Sequence, residues 1–148
     1  MSTGTNPKCL VIAVCESVVE DTLTHNKCIL NMFNALNAMQ FPAAQPKLVV
    51  FVALTDGRGT VPVVLKFVED TTGSVLFQLN ASISFKSPLD IADMVFNLLG
   101  LPLPRPGPYS VQIFANGAHI GERRIQVTQF TNPGQGGQSG PQIMGRQP

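Results

Sequence analysis

His25 and Cys28 stand three residues apart, the spacing at which one turn brings an imidazole and a thiolate to a single metal ion, with Glu20 and Asp21 just ahead of them. Zinc sites normally combine two such pairs, and the other histidine, His119, lies far along the chain. A polar turn accounts for the group without a metal. Asp56-Gly57-Arg58-Gly59 offers backbone amides to a phosphate, yet no Gly-Lys-Ser/Thr follows and no helical pattern begins there. It reads as a hairpin loop. Glu69-Asp70 supplies two carboxylates, well short of the roughly six to eight oxygens that calcium gathers. Ser139, in Gly137-Gln138-Ser139-Gly140-Pro141, misses the nucleophile-elbow spacing at its last position. No catalytic, metal or cofactor residue is assigned, and no cofactor is expected.

The remaining residues of special type have structural readings. Nine Phe and one Tyr, without Trp, would have to be exposed to stack on sugars or bases, and most of the Phe fall at inward-facing strand positions. Tyr109 follows Pro106-Gly107-Pro108, where its ring can enter a core while its hydroxyl bonds nearby backbone, as tyrosine corners do. Asn116-Gly117 supplies the two positive-φ positions of a tight hairpin turn. Counting from that turn pairs Ile113 with Ile120, but Ile125 and Val127 have the opposite parity to Ile120. One extra residue must therefore enter the strand, and a bulge is expected at Gly121 or Glu122.

These residues need strands to hold them, and the chain reads as a series of short apolar runs separated by turn signals. Cys9 to Cys15 and Leu48 to Leu54 are apolar throughout, as strands covered on both faces are. Asp21 to Asn26 and Glu69 to Gly73 read as turns. Val61, Val63, Leu65 and Phe67 share one face. Val75, Phe77, Leu79, Ala81, Ile83 and Phe85 alternate with Leu76, Gln78, Asn80, Ser82 and Ser84, the pattern of a strand buried on one side. Two segments also fit helices. Ser87-Pro88-Leu89-Asp90 resembles a capped helix start, with Ile91, Met94, Val95, Leu98 and Leu99 at helical spacing; Asn26 could likewise cap Lys27 to Met39. Asn31, Asn34 and Asn37 are poor helix formers, and the last hairpin needs partner strands. The reading adopted is a strand over 28–37, and a helical turn at 88–91 leading into a strand at 93–99.

Composition bounds function. Ten Lys and Arg balance nine Asp and Glu without a run of either sign, so nothing marks a nucleic-acid or membrane partner. Charged residues make up 13% and hydrophobic ones 44%, a sparse surface charge that suits strands covered on both faces or surface covered by a partner. Cys9 and Cys15 would sit roughly 20 Å apart on one strand, beyond disulfide reach. Antiparallel pairing around the following turn puts Cys28 opposite Val19 and Cys15 near Met32. Three thiols imply a reducing compartment. Lys8 followed by Leu10 to Val14 resembles a lipoprotein leader, but the run is short and Val14 is large for a cleavage site. No apolar run reaches the ~20 residues of a membrane helix; a soluble, cytoplasmic protein is expected.

The ordered series Cys15-Glu16, Asn26 to Phe33, Phe41-Pro42-Ala43, Lys47 to Thr55, Val68-Glu69-Asp70 to Gly73, and Asn97 to Pro104 into Pro106-Gly107-Pro108-Tyr109 resembles a family of small bacterial proteins of unknown function. The likeness runs over about 8–128. It implies a stand-alone immunoglobulin-like sandwich and brings no activity, substrate or catalytic residue. Glu16 stands where such proteins more often have Asp, and the immunoglobulin pair of cysteines around a tryptophan is absent. The expected fold is thus an all-β, immunoglobulin-like antiparallel sandwich of about seven to eight strands with at most one short helical turn. A flexible N-terminus over 1–7 precedes the domain at 8–130, and a disordered Gly/Pro/Gln-rich tail follows at 131–148.

The function expected of such a chain is a non-enzymatic one, interaction with an unknown protein partner or self-association. Pro62 lacks an amide proton, which marks its strand as an edge or a bulge. The outward Val64 and Val68 are apolar where solvated edges carry charge, with Lys66 as a guard. Association through 61–68 is therefore expected. The alternative is a small-molecule carrier or an unrecognised enzyme, with its pocket between the sheets or at the loop end.

Overall fold

The computed structural model describes residues 6–130. The N-terminal stretch expected to be flexible falls mostly outside this range, although Pro7 is buried; the tail at 131–148, with Ser139, lies wholly outside it. Nine strands are present among the described residues: β1 Lys8–Glu20, β2 Lys27–Met32, β3 Ala35–Ala38, β4 Ala43–Thr55, β5 Gly59–Glu69, β6 Ser74–Phe85, β7 Ile91–Leu103, β8 Gly107–Ala115 and β9 Ala118–Gln129. One sheet has the order β2-β1-β4-β7 and the other β3-β9-β8-β5-β6. Every pairing is antiparallel except β3 with β9, which is parallel.

The core follows from period-two alternation. Leu48, Val50, Val52, Leu54, Phe96 and Leu98 on one sheet meet Val61, Val63, Leu65, Phe67, Val111, Ile113, Ile125 and Val127 on the other. Each such side chain, fully buried, contributes about 1.5–3 kcal/mol. β4 is covered on both faces, because Val49, Phe51 and Ala53 are buried as well. β1 is less so, with Leu10 and Val11 exposed and only Ala13, Val14 and Cys15 fully buried. The second cover is local: the β1–β4 ladder stops at Cys15 opposite Val49, and beyond it the β1–β2 hairpin leans over the outer face. Val18 and Ile29 there pack on Ala13, Phe51 and Ala53, and Lys27 Nζ reaches Asp93 Oδ2 of β7 at 3.4 Å.

The expected pairs Cys15 with Met32 and Val19 with Cys28 are present, and the three cysteines are free. Other details are corrected. The strand expected over 28–37 is two strands, since the chain changes sheets at Phe33-Asn34. Phe33 N–H still donates to Val14 O of β1 at 3.0 Å, while Asn34 O accepts from Gln126 N–H of β9 at 2.9 Å. This split raises the strand count above the expected seven to eight. The expected helical turn at 88–91 is a non-helical turn at Pro88-Leu89. Asp90 Oδ2 accepts the N–H groups of Lys86 and Ser87 at 3.1 Å, and Thr55 Oγ1 donates to Asp90 O at 2.8 Å. From Ile91 the chain is drawn into a long ladder with β4, so tertiary pairing overrides the local helical pattern. No helix among the described residues is long and apolar enough to cross a membrane.

Candidate functional site

The residues weighed for chemistry are engaged elsewhere or scattered. His25 Nδ1 lies 2.8 Å from Glu20 Oε2, and Asp21 Oδ1 accepts the N–H groups of Leu23 and Thr24 at 2.8 and 3.0 Å. These contacts order the turn, and both carboxyls sit below the usual carboxylate range: Glu20 through its hydrogen bond to His25, Asp21 through its bonds from backbone amides. Cys28 is exposed on β2. Among the described residues no group of three or more His, Cys, Asp and Glu is arranged to hold a metal ion. In the 56–59 loop, Asp56 N–H is taken by Pro88 O at 3.0 Å, and Gly57 is packed against the Phe85 ring. Glu69 is buried; its Oε2 meets Arg105 Nη1 at 2.5 Å and its Oε1 accepts from Thr72 Oγ1 at 2.9 Å. Asp70 Oδ1 accepts from Ser110 Oγ at 2.7 Å, with Arg124 Nε 3.5 Å from Oδ2. This pair of acids fastens the β5–β6 turn to the start of β8.

Tyr109 is fully buried with its ring stacked on Phe67, centroids 5.5 Å apart. Its hydroxyl donates to Arg105 O at 2.5 Å and accepts from Arg105 N–H at 3.2 Å, which is tyrosine-corner geometry. Burial pushes its pKa up. Asn116 and Gly117 have φ of 53° and 81°, the two left-handed positions of a type I′ turn. The bulge lies one residue earlier than Gly121: Ile113 pairs with Gly121 and Phe114 with His119, leaving Ile120 as the extra residue. Gly121 serves close approach between sheets. A Cβ there would stand 3.1 Å from Ile12 Cδ1 and 3.2 Å from Cys9 Sγ.

The interaction edge expected at Pro62, Val64, Lys66 and Val68 is not an edge. β5 lies between β6 and β8, Val68 is 6% exposed, and Lys66 sits over the Phe114 ring at 4.5 Å. Pro62 is tolerated inside the sheet because of where β8 ends. Asn116 N–H donates to Pro62 O, so the Pro62 nitrogen also points toward β8, level with the Asn116-Gly117 turn and past the last ladder pair, Val63 with Ala115. No donor is needed there.

The free edges on this flank are β6 and β7, each outermost in its own sheet. Between them runs an open groove of about 590 Å³, lined from β6 by Leu79 to Ser84 and from β7 by Asp93 to Asn97. Its polar groups are Asn80, Ser82, Ser84, Asp93 and Asn97. From Ser74 to Phe85, β6 contains no charged residue, no proline and no glycine. In the sequence that composition reads as a central strand, because edges usually carry charge or proline; only the strand order makes β6 an edge.

Two facing sheets, a segment that changes sheets between β2 and β3 to run parallel with the last strand, and a tyrosine corner define an immunoglobulin-like β-sandwich. The chain belongs to DUF6941, a family of unknown function, whose model matches residues 10–128. No curated protein matches it in sequence. Among solved structures it is similar to the CARDB domain of a Pyrococcus furiosus protein in complex with di-metal ions, at 11% identity and a TM-score of 0.39, covering 87% of this chain and 100% of that one. It is also similar to an immunoglobulin-like protein of Pseudomonas aeruginosa, at 11% identity and a TM-score of 0.36, covering 85% and 99%. A third is the DNA-bound alkylpurine DNA glycosylase of Pseudomonas fluorescens, at 12% identity and a TM-score of 0.39, covering 64% of this chain. The match spans 27% of the glycosylase's length.

Proposed function

We propose that the protein acts by binding protein, without chemistry of its own, and that an extended segment is taken up at the flank bounded by β6 and β7. The observation that carries this is β6 itself: a twelve-residue outermost strand with no charge, proline or glycine along it. Unpaired strand edges invite added strands, and proteins that gain nothing from addition usually guard such edges with charge. Main-chain hydrogen bonds to an added strand give affinity, and alternate side chains give specificity. The constant-type immunoglobulin arrangement places a further strand beside the counterpart of β7; here, among the described residues, that flank is open. Three free thiols support a reducing compartment, the cytoplasm.

A second reading has one observation in its favour. The groove volume falls within the roughly 300–1,000 Å³ of ligand pockets, and several uncharged polar groups line it, which would suit a small-molecule carrier or an enzyme. Hydrogen exchange separates the two. With partner protein purified from the native cell, amides of β6 or β7 are expected to gain protection, and protection confined to other strands would sink the protein-binding reading. Thermal stabilisation by small polar compounds, abolished by substitutions at Asn97, would favour the carrier.

A further inference from the structure

We infer that the occupant of the β6 edge is a second copy of this chain, paired antiparallel to its own β6 about a two-fold axis through Ala81. The inference rests on the protein-binding reading above and names its partner. Among the described residues the sandwich has four outermost strands, and three of them are blunted. β2 begins at Lys27 and holds Asn31 at φ 56°; β3 is four residues long; β7 carries Asp93, Pro102 and a left-handed Gly100. β6 has none of these devices, and its one irregularity, a bulge at Leu76, falls near its start.

The register follows from backbone direction. Pro62 points away from β6, toward β8, and pairs across the ladder with Ser82. That pair is therefore of the non-hydrogen-bonded kind, and Ser82 turns its own N–H and C=O to the free edge. By the period of two, Gln78, Asn80 and Ser84 do the same. The β5–β6 ladder is regular from Phe77 to Phe85, its one shift falling between Phe67 and Val68, where Leu76 is passed over. The midpoint of that regular stretch is Ala81.

A two-fold axis at Ala81 uses all of it. Asn80 faces Ser82 of the second copy and Gln78 faces Ser84, as hydrogen-bonded pairs. On the other face Leu79 meets Ile83 and the small Ala81 meets itself, continuing the apolar inner layer. Leu79, Ala81 and Ile83 are only half-buried in one copy. A charge-free row offers an unrelated partner little by which to be told from others, since charge complementarity and repulsion set partner choice. Self-pairing needs no such code, and here it sets no charge opposite a like one.

Sedimentation of the full chain across a concentration series tests this, with circular-dichroism melting as the folding control. The wild type is expected to form dimers. Asn80→Lys with Ser82→Lys, which sets lysine against lysine twice across the axis, should weaken dimerisation roughly a hundredfold or more and leave monomer melting unchanged. If that variant misfolds, Gln78→Lys with Ser84→Lys tests the same register. Ala81→Cys in a Cys28→Ser background should cross-link on oxidation, because non-hydrogen-bonded partners approach to about 4.5 Å between Cα atoms, within disulfide reach. A wild-type monomer at every concentration, a dimer indifferent to the lysines, or a failure to cross-link overturns the two-fold pairing. A monomer whose β6 amides are protected by a different protein would leave the broader reading standing; protection by no protein would remove both.

Discussion

The two flanks of this sandwich solve the edge problem in opposite ways. On one, the chain passes from β2 to β3 through Phe33-Asn34, so that a single segment bonds both sheets. Arg123, facing inward from β9, donates to Ile12 O at 3.2 Å and to Asn34 Oδ1 at 2.6 Å. Backbone and guanidinium together close that side. On the other flank β6 and β7 diverge around a groove, and their connection at 86–90 ties only one end. The difference teaches that exposed edge here is not a general property of a sparsely charged chain. What is confined to one strand is an edge without guards, while the opposite flank is closed with an inward-facing arginine whose Nε finds no partner among the described residues.

The largest expected effect lies on the closed flank. Arg123→Ala removes two charge-assisted hydrogen bonds and strands Ile12 O, and should lower stability by about 3 kcal/mol, read by chemical denaturation. Little or no loss would mean the crossover alone closes that side. On the open flank, Gly57→Ala should cost about 2 kcal/mol through overpacking. A Cβ would lie 2.2 Å from Phe85 Cε1, and the Phe85 ring is buried in the core at the end of β6, where a shift displaces packed neighbours. If stability is unchanged, Phe85 does not anchor β6 as described.

The tyrosine corner holds the far end of the open flank, where β7 turns into β8. Tyr109→Phe should cost about 1 kcal/mol at neutral pH. Its pH dependence has a definite sign. Burial raises the folded pKa of Tyr109, so the unfolded chain ionises first: stability is intact below the ordinary tyrosine range near about 10 and falls as pH rises through it. Burial likewise raises Cys9 and Cys15, which adds loss of the same sign from the thiol range upward. The Phe variant should therefore show a shallower alkaline decline than the wild type. Equal slopes would assign the decline to the thiols alone.

Much of this fold can be read from residue types. The alternation of β6, the Asn116-Gly117 turn and the pairing of Cys15 with Met32 are local patterns that agree with the final sheets. What could not be read depends on where other strands stop. Pro62 suggests an edge only if its nitrogen would otherwise need a partner, and that depends on β8 ending at Ala115. The sheet change at Phe33-Asn34 leaves no mark in hydrophobic period, since neither Cys28-Ile29-Leu30 before it nor Ala35-Leu36-Asn37-Ala38 after it alternates in residue type. The helical pattern at 91–99 loses to a ladder with β4, whose partners lie far away in sequence. The groove has no motif at all, because its defining feature is charge that is missing from one strand.

The smallest expected effect is the sharpest on what the open flank is for. Val64 lies on the outer face of β5, beside Asn80 and Phe114 in the two ladders, and not at an edge. Val64→Lys should change stability by only ~0.5 kcal/mol, because the new ammonium can extend to water while its stem covers neighbouring apolar surface. It should leave the sedimentation profile unchanged, since strand addition at β6 uses backbone on the far side of that strand. Lysines at Asn80 and Ser82 would stand on the same face, one strand spacing further out and on the edge strand itself. If Val64→Lys separates the copies as well as they do, association runs through the face of this sheet, and the unguarded backbone of β6 has no part in it.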